Sequence, residues 1–355
     1  MKTKPTQLAV KLLRENGIQP NFILCRGKKA LDEERKRKIE VYANIKRDNV
    51  ISMPDVIGPE TANTIYVIPR DLEKERMAEK IMDHLKLENK KEPNWTEWDR
   101  NVKKIVNPSK KIKIAMIVKY VSIGDYQLTD SYLSVNESLK HAGAKNDCRV
   151  EISFINAKDL EENGVESLRE FDGILVPGGF GSSGVVGKIA SIKFAREKDI
   201  PFLGLCLGLQ LSVVEYARNV CNLAKAHSTE IEEFIEHPVV DILFDQINLE
   251  NKGGTMRLGS YPARLREGSR VASLYGNLEV SERHRHRYEV NPKYHSILRD
   301  NGLVFSGMSP DNQLVEFIEL PENKFFVATQ AHPEFKSSLL KPAPLFDGFV
   351  KACLD

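Results

Sequence analysis

The sequence predicts an α/β fold: a mostly parallel open sheet flanked by helices, preceded by an incomplete α/β segment. Beyond residue 111, apolar runs of strand length alternate with amphipathic runs of helix length, the pattern of strands connected by crossover helices. Two of those runs lead into glycine-marked turns, Pro177-Gly178-Gly179 and Cys206-Leu207-Gly208, where sites form in open sheets of this kind. The length of 355 residues exceeds that of a usual single domain, so two cores are expected.

In chain order, residues 8–13 have the apolar spacing of a helix and 21–25 that of a short strand. A charged helix over 32–43 follows, then extended pieces at 50–53 and 64–68 and a helical stretch at 73–84. So few strands do not cover both faces of a parallel sheet, and residues 1–87 read as part of a domain. Residues 88–110 are polar and proline-marked, with Pro93 and Pro108, and read as an interdomain linker. Trp95 and Trp98 are expected to tether it to a domain surface.

The second domain, 111–355, opens with a buried strand at 112–120 and a helix at 131–141. Strands at 150–155 and 173–176, a helix at 188–196, a strand at 202–205 and a helix from Leu207 come next. Runs at 304–305, 314–319 and 326–329 are expected to complete the same sheet.

Composition narrows the function. With 52 Lys+Arg against 50 Asp+Glu the net charge is +2, which implies no polyanion-binding surface and no nucleic acid partner. No apolar run approaches a membrane span and the polar N-terminus lacks a secretory h-region, so a cytoplasmic location without membrane attachment is expected. Cys25, Cys148, Cys206, Cys221 and Cys353 are widely spaced, suggesting free thiols and no metal site.

The sharpest signal is Gly204-Leu205-Cys206-Leu207-Gly208 at the end of an apolar strand. It reads as a nucleophile elbow, with small flanking residues allowing a tight strand-to-helix turn and a helix N-terminus favouring the thiolate. Alone, a cysteine there is more often a small buried hydrophobe. Ala331-His332-Pro333-Glu334, also after a strand, offers a base and a carboxylate to orient it, although a His before Pro by itself is more often a packing residue. Pro177-Gly178-Gly179-Phe180-Gly181 can turn a backbone N–H toward an oxyanion; alone it is a loop.

Together, in this order, the three motifs resemble those of the class I (triad) glutamine amidotransferases, whose sheet is flavodoxin-like. The resemblance implies Cys206 as nucleophile, His332 as general base and then acid, Glu334 as orienting group, and the N–H groups of Gly179 and Leu207 as oxyanion hole. The glutamine side-chain amide would give a γ-glutamyl thioester and ammonia.

Further stretches resemble the CTP synthase family: Asp130 to Val135, Ser228-Thr229-Glu230, Gly253-Gly254-Thr255-Met256-Arg257-Leu258-Gly259 and Glu282 to Val290. The family implies that Phe180, Gln210, Glu230 and Arg287 hold L-glutamine, with Arg287 on its α-carboxylate. Read without the family, Arg283-His284-Arg285-His286-Arg287 is a basic run whose alternation in a strand puts the arginines on one face and the histidines on the other. The opening Lys2-Thr3-Lys4-Pro5-Thr6-Gln7 resembles a UTP- or CTP-contacting segment, with Lys2, Lys4, Gln7 and Lys38 at matching places; its other reading is a frayed basic terminus.

No G-x-x-x-x-G-K-[ST] phosphate loop occurs in the chain. The resemblance makes residues 1–87 the C-terminal remnant of the synthetase (amidoligase) domain and implies that the N-terminal synthetase part, with the phosphate loop and the ATP and Mg2+ sites, is absent, so that this chain supplies ammonia to a separate synthetase domain or full-length homologue. The family also implies GTP activation and a homo-oligomer. Ser183 and Val186 stand where Arg and Glu are usual, which weighs against GTP activation; His227 replaces a usual Asn, and 57–63 holds an insertion. Two other functions compete: a non-catalytic nucleotide-binding or assembly partner of a full-length synthase, and a free-standing γ-glutamyl hydrolase, which would not need the first 110 residues.

Overall fold

A computed structural model describes residues 2–58, 62–88, 91–119, 122–123, 126–127, 129–232, 234–242 and 256–355. Gly253, Gly254 and Thr255, linker residues 89 and 90, and 59–61 of the insertion lie outside the described residues. The chain divides into two units, Met1–Asn107 and Pro108–Asp355.

In the first unit, Pro5 sits in the opening turn of α1 (Lys4–Glu15), where its missing N–H leaves no bond unmade. β1 (Ile23–Gly27) leads to α2 (Glu33–Ala43), whose N-terminus is capped by the Asp32 carboxylate accepting from the Arg35 N–H at 2.8 Å. β2 (Val50–Pro54) pairs in parallel with β1, Ile23 opposite Val50. Val10, Ile39, Ala43, Ile45 and Val50 form a small core beneath them.

The extended piece expected at 64–68 is instead a 3-10 turn, Ile65–Val67, running into α3 (Ile68–Lys74). Its apolar residues suggested a strand, but Thr64 caps the turn through the Tyr66 N–H and Pro69 opens the helix. α4 (Met77–Leu85) follows. The segment expected as a linker carries α5 (Thr96–Val106) within the same unit. Trp98 Nε1 donates to the Tyr66 carbonyl at 3.0 Å and Arg70 pairs with Asp99 at 3.2 Å, so this polar helix is anchored by side chains that hydropathy does not mark.

The second unit begins with β3 (Lys110–Val118), the short β4 (Ser122–Ile123) and β5 (Tyr126–Gln127), α6 (Leu133–Lys145), β6 (Cys148–Asn156), α7 (Ala157–Asn163) and β7 (Gly173–Val176). α8 (Val185–Lys198), β8 (Phe202–Leu205), α9 (Leu207–Asn219), β9 (Ala226–Ser228) and β10 (His237–Ile242) come next. β11 (Arg257–Leu265), α10 (Arg270–Tyr275), β12 (Glu279–His286), β13 (Tyr288–Val290), α11 (His295–Asp300), β14 (Val304–Met308), β15 (Val315–Glu319), β16 (Phe326–Thr329) and α12 (Pro344–Leu354) complete it.

Nine of these strands form one sheet in the order β12-β11-β14-β15-β16-β8-β7-β3-β6. It is parallel from β16 to β6 and antiparallel from β12 to β16. The parallel strands are apolar throughout because helices cover both faces. Along β3, Ala115 and Ile117 pack with Leu160, Ile189 and Val213 of α7, α8 and α9, while Ile114 and Met116 pack with Leu139, Phe346 and Phe349 of α6 and α12. The predicted fold class therefore holds, extended by an antiparallel wing that carries the arginine strand.

Candidate active site

β7, β8 and β16 are neighbours in the parallel half, with Val176 opposite Gly204 and Leu205 opposite Thr329. Their C-terminal ends therefore bring the turn after Val176, Cys206 and the segment from Gln330 to Glu334 into one place, although these are far apart in sequence.

Cys206 has φ 51° and ψ −101°, a left-handed, strained conformation that non-glycine residues rarely adopt. Its N–H donates to the Thr329 carbonyl at 2.7 Å and its carbonyl accepts from the Leu209 N–H at 3.0 Å, so strand and helix both hold the strained residue. A β-carbon at Gly204 would stand 2.9 Å from the carbonyl carbon of Gly208, and one at Gly208 would overlap the Val176 carbonyl oxygen. The two glycines thus let α9 leave β8 in close contact with both neighbours.

The thiol is 3% exposed. Its Sγ is 3.9 Å from the Arg285 carbonyl and 3.7 Å from Gln330 Nε2. His332 Nδ1 lies 2.7 Å from Glu334 Oε1, and with a carboxylate as partner Nδ1 is the donor, leaving the other ring nitrogen for the thiol. Burial disfavours charge on His332, but hydrogen bonds to Cys206 and Glu334 and their charges outweigh it, and its pKa is pushed up to about 10. The imidazolium is therefore the favoured form of His332.

Gly179 lies against the start of α9, with Leu207 Cδ2 3.4 Å from where a Gly179 β-carbon would be. Leu207 is the first residue of that helix, where the backbone N–H has no partner within the helix. Phe180, Gln210, Glu230 and Arg287 line, together with Cys206, a small cavity of about 30 Å³. Gln210 Nε2 donates to the Tyr288 carbonyl at 2.9 Å, and Glu230 Oε1 accepts from the Gly181 N–H at 3.2 Å. Burial raises the Glu230 pKa, opposed by the Gly181 N–H, Arg287 and Lys119. A larger cavity of about 280 Å³ shares Gly179, Phe180 and Cys206 and is lined by His332 and Glu334.

The alternation along residues 283–287 takes the expected form in β12: Arg283 and Arg285 are exposed, His284 and His286 buried. Arg287 falls just past the strand end, where the chain leaves β11 and β13 pairs with β10 instead. Beneath the strand, Arg257 bridges Glu289 at 2.9 Å and Glu316 at 2.8 Å, and the rings of His284 and His286 meet at 2.9 Å. Burial pushes Glu289 up to about 8 and His284 down to about 3, so both carboxylates depend on Arg257 and the imidazole is neutral.

Lys2, Lys4 and Lys38 line a separate cavity of about 400 Å³ within the first unit. Gln7 instead bonds Thr3 Oγ1 at 3.2 Å, and Lys38 is paired with Glu34 at 2.8 Å. Gln330 and the Arg285 carbonyl, both against the thiol, were not identified from the sequence. Neither a glutamine before Ala-His nor a backbone oxygen carries a motif, and only the sheet order brings them to Cys206.

The model described as glutamine amidotransferase class-I matches residues 127–352, and that described as CTP synthase N-terminus matches residues 1–87. Among solved structures, the glutaminase domain of the Trypanosoma brucei CTPS, with bound acivicin, is 37% identical with a TM-score of 0.63, over 68% of this chain and 94% of that one. The chain belongs to the CTP synthase family. Curated members include those of Methanocaldococcus jannaschii, 50% identical over 100% of this chain and 65% of its own length, and Methanococcus maripaludis, 49% identical over 100% and 66%. The chain thus spans just under two thirds of these relatives.

The match over residues 1–87 overturns the expectation that the N-terminal synthetase part is absent. That expectation let one phosphate-loop motif stand for the whole N-terminal part, whose other elements carry no short motif. As for the membrane, no helix among the described residues is long and apolar enough to cross one.

Proposed function

We propose that this chain hydrolyses L-glutamine at Cys206 and that the ammonia serves the ATP-dependent amination of UTP to CTP, a cytosolic step of pyrimidine nucleotide synthesis. The observation that carries the first half is the strained Cys206 at the end of β8 beside the hydrogen-bonded His332–Glu334 pair at the end of the adjacent parallel strand. The second half rests on family membership and on the match to residues 1–87, which also speaks against a free-standing γ-glutamyl hydrolase.

The Cys206 thiolate adds to the side-chain carbonyl carbon of glutamine, and the new oxyanion is met by the N–H groups of Gly179 and Leu207. The His332 imidazolium gives its proton to the leaving nitrogen, and ammonia departs as the thioester forms. Neutral His332 then takes a proton from water, which attacks the thioester and releases glutamate. Arg287 pairs with the α-carboxylate, and Glu230 receives the α-ammonium, a charge that draws its raised pKa back down. Lys2, Lys4, Gln7 and Lys38 would meet a UTP or CTP triphosphate, a reading that rests on the family and on the cavity that the three lysines line. Among the described residues no group of three or more His, Cys, Asp or Glu side chains converges, and Mg2+ and ATP would be met where one or two carboxylates join the nucleotide phosphates.

Glutamate release from L-glutamine by the purified chain tests the proposal; no release, alone or with ATP, UTP and GTP, would overturn it. Arg287→Lys, which loses the fork but keeps the charge, is expected to raise KM by roughly tenfold with little change in kcat. Glu334→Gln removes a charge that holds the His332 pKa up. The imidazolium then loses its proton at a lower pH, so the alkaline limb of the kcat/KM profile moves down and the maximum falls by roughly tenfold or more.

A further inference from the structure

Lys188 lies in the first turns of α8 and is 2% exposed. Its Nζ is 3.8 Å from the position a Gly179 β-carbon would take, so the ammonium stands beside the turn whose Gly178 neighbours Cys206. Among the described residues it has no hydrogen-bonding or ion-pair partner. A lysine that merely packs its stem carries its head to water, but here the head is buried as well, at a cost that neutral packing would avoid.

The charges around it do not neutralise it. Lys119, at the end of β3, donates to the Phe180 carbonyl at 3.3 Å, and burial together with this like charge lowers the Lys188 pKa to about 8. Glu161 of α7 is engaged by the Gly187 N–H at 3.1 Å. Glu230 accepts from the Gly181 N–H, and Cys206 and His332 form their own pair across the turn. No carboxylate is among the groups that act on this ammonium, so a negative charge that arises beside the Gly179 peptide meets it uncompensated.

We infer that Lys188 is a positioning residue for the oxyanion: its ammonium, beside the Gly179 turn, adds positive potential where the oxygen becomes negative as Cys206 adds to the amide. The inference rests on the glutaminase reading above. In a water-poor site a charge one residue removed from the reacting oxygen acts on the transition state more than on bound substrate.

Glutamate release is measured across the neutral and alkaline range for the full chain, Lys188→Met, Lys188→Arg and Cys206→Ala. Lys188→Met keeps the stem and removes the charge; kcat is expected to fall roughly tenfold with KM unchanged and the thermal midpoint no lower. Lys188→Arg restores most of kcat. Because the ammonium loses its proton as pH rises, the unsubstituted chain shows a loss of kcat near pH 8 that Lys188→Met lacks. Equal kcat in Lys188→Met, or a step near pH 8 that persists in it, overturns the inference. If Lys188→Met does not fold, the unsubstituted chain decides: no step near pH 8 overturns the inference. Glutamate release that survives Cys206→Ala instead defeats the glutaminase reading itself, whereas an inactive Cys206→Ala beside a fully active Lys188→Met defeats only the role of Lys188.

Discussion

Cys206→Ala is expected to lower kcat/KM for glutamine hydrolysis by on the order of 10⁴-fold or more, because no second nucleophile stands at the end of β8 to form the acyl bond. The remaining thiols cannot substitute. Cys148, Cys221 and Cys353 are buried, and burial raises each of their pKa values; Cys25 lies in the other unit and is also raised. Glutamine binding should survive, since Arg287, Glu230 and Gln210 are untouched, so calorimetry separates lost chemistry from lost binding. Mass spectrometry of the quenched unsubstituted chain should show a γ-glutamyl adduct on the peptide bearing Cys206, absent in the variant. Turnover by Cys206→Ala at the rate of the unsubstituted chain would remove the nucleophile assignment.

Gly208→Ala carries the largest expected effect on stability, and its sign is informative. In an unencumbered helix, alanine for glycine gains about 1 kcal/mol. Here the added methyl would overlap the Val176 carbonyl oxygen, a backbone atom at the end of β7, and one chain must move. Overpacking of this kind costs about 3 kcal/mol, leaving a net loss of about 2 kcal/mol, or about 4–8 °C in Tm for a unit of this size. Whichever chain yields, either Cys206 or the Pro177–Gly179 turn is displaced, so activity should fall with stability. Calorimetric unfolding decides it: a Gly208→Ala chain that is more stable and fully active would show that the close approach is absent.

Much of this site was legible in one dimension because each part ends a strand. Gly204 and Gly208 bracket Cys206 because the elbow tolerates nothing larger, and the two-residue period of β12 sorts arginines from histidines by itself. Local patterns failed where capping residues outweighed apolar periodicity or where side chains distant in sequence decided the outcome. The apolar run at 64–68 turns because Thr64 and Pro69 cap a helix start, and α5 joins the first unit through Trp98 and Arg70 in a stretch whose prolines suggested a linker.

What the sequence determined by itself is the alternation of strands and helices, the elbow, and the identity of the groups at the strand ends, because these follow from the local periodicity and steric demands of single residues. What only the tertiary structure decided is which strand ends are neighbours. The order β16-β8-β7 puts His332, Cys206 and Gly179 side by side, brings Gln330 and the Arg285 carbonyl to the thiol, and buries Lys188 beside the turn. Strand order reflects packing on both faces of a sheet at once, a property of the whole unit that no window of residues contains.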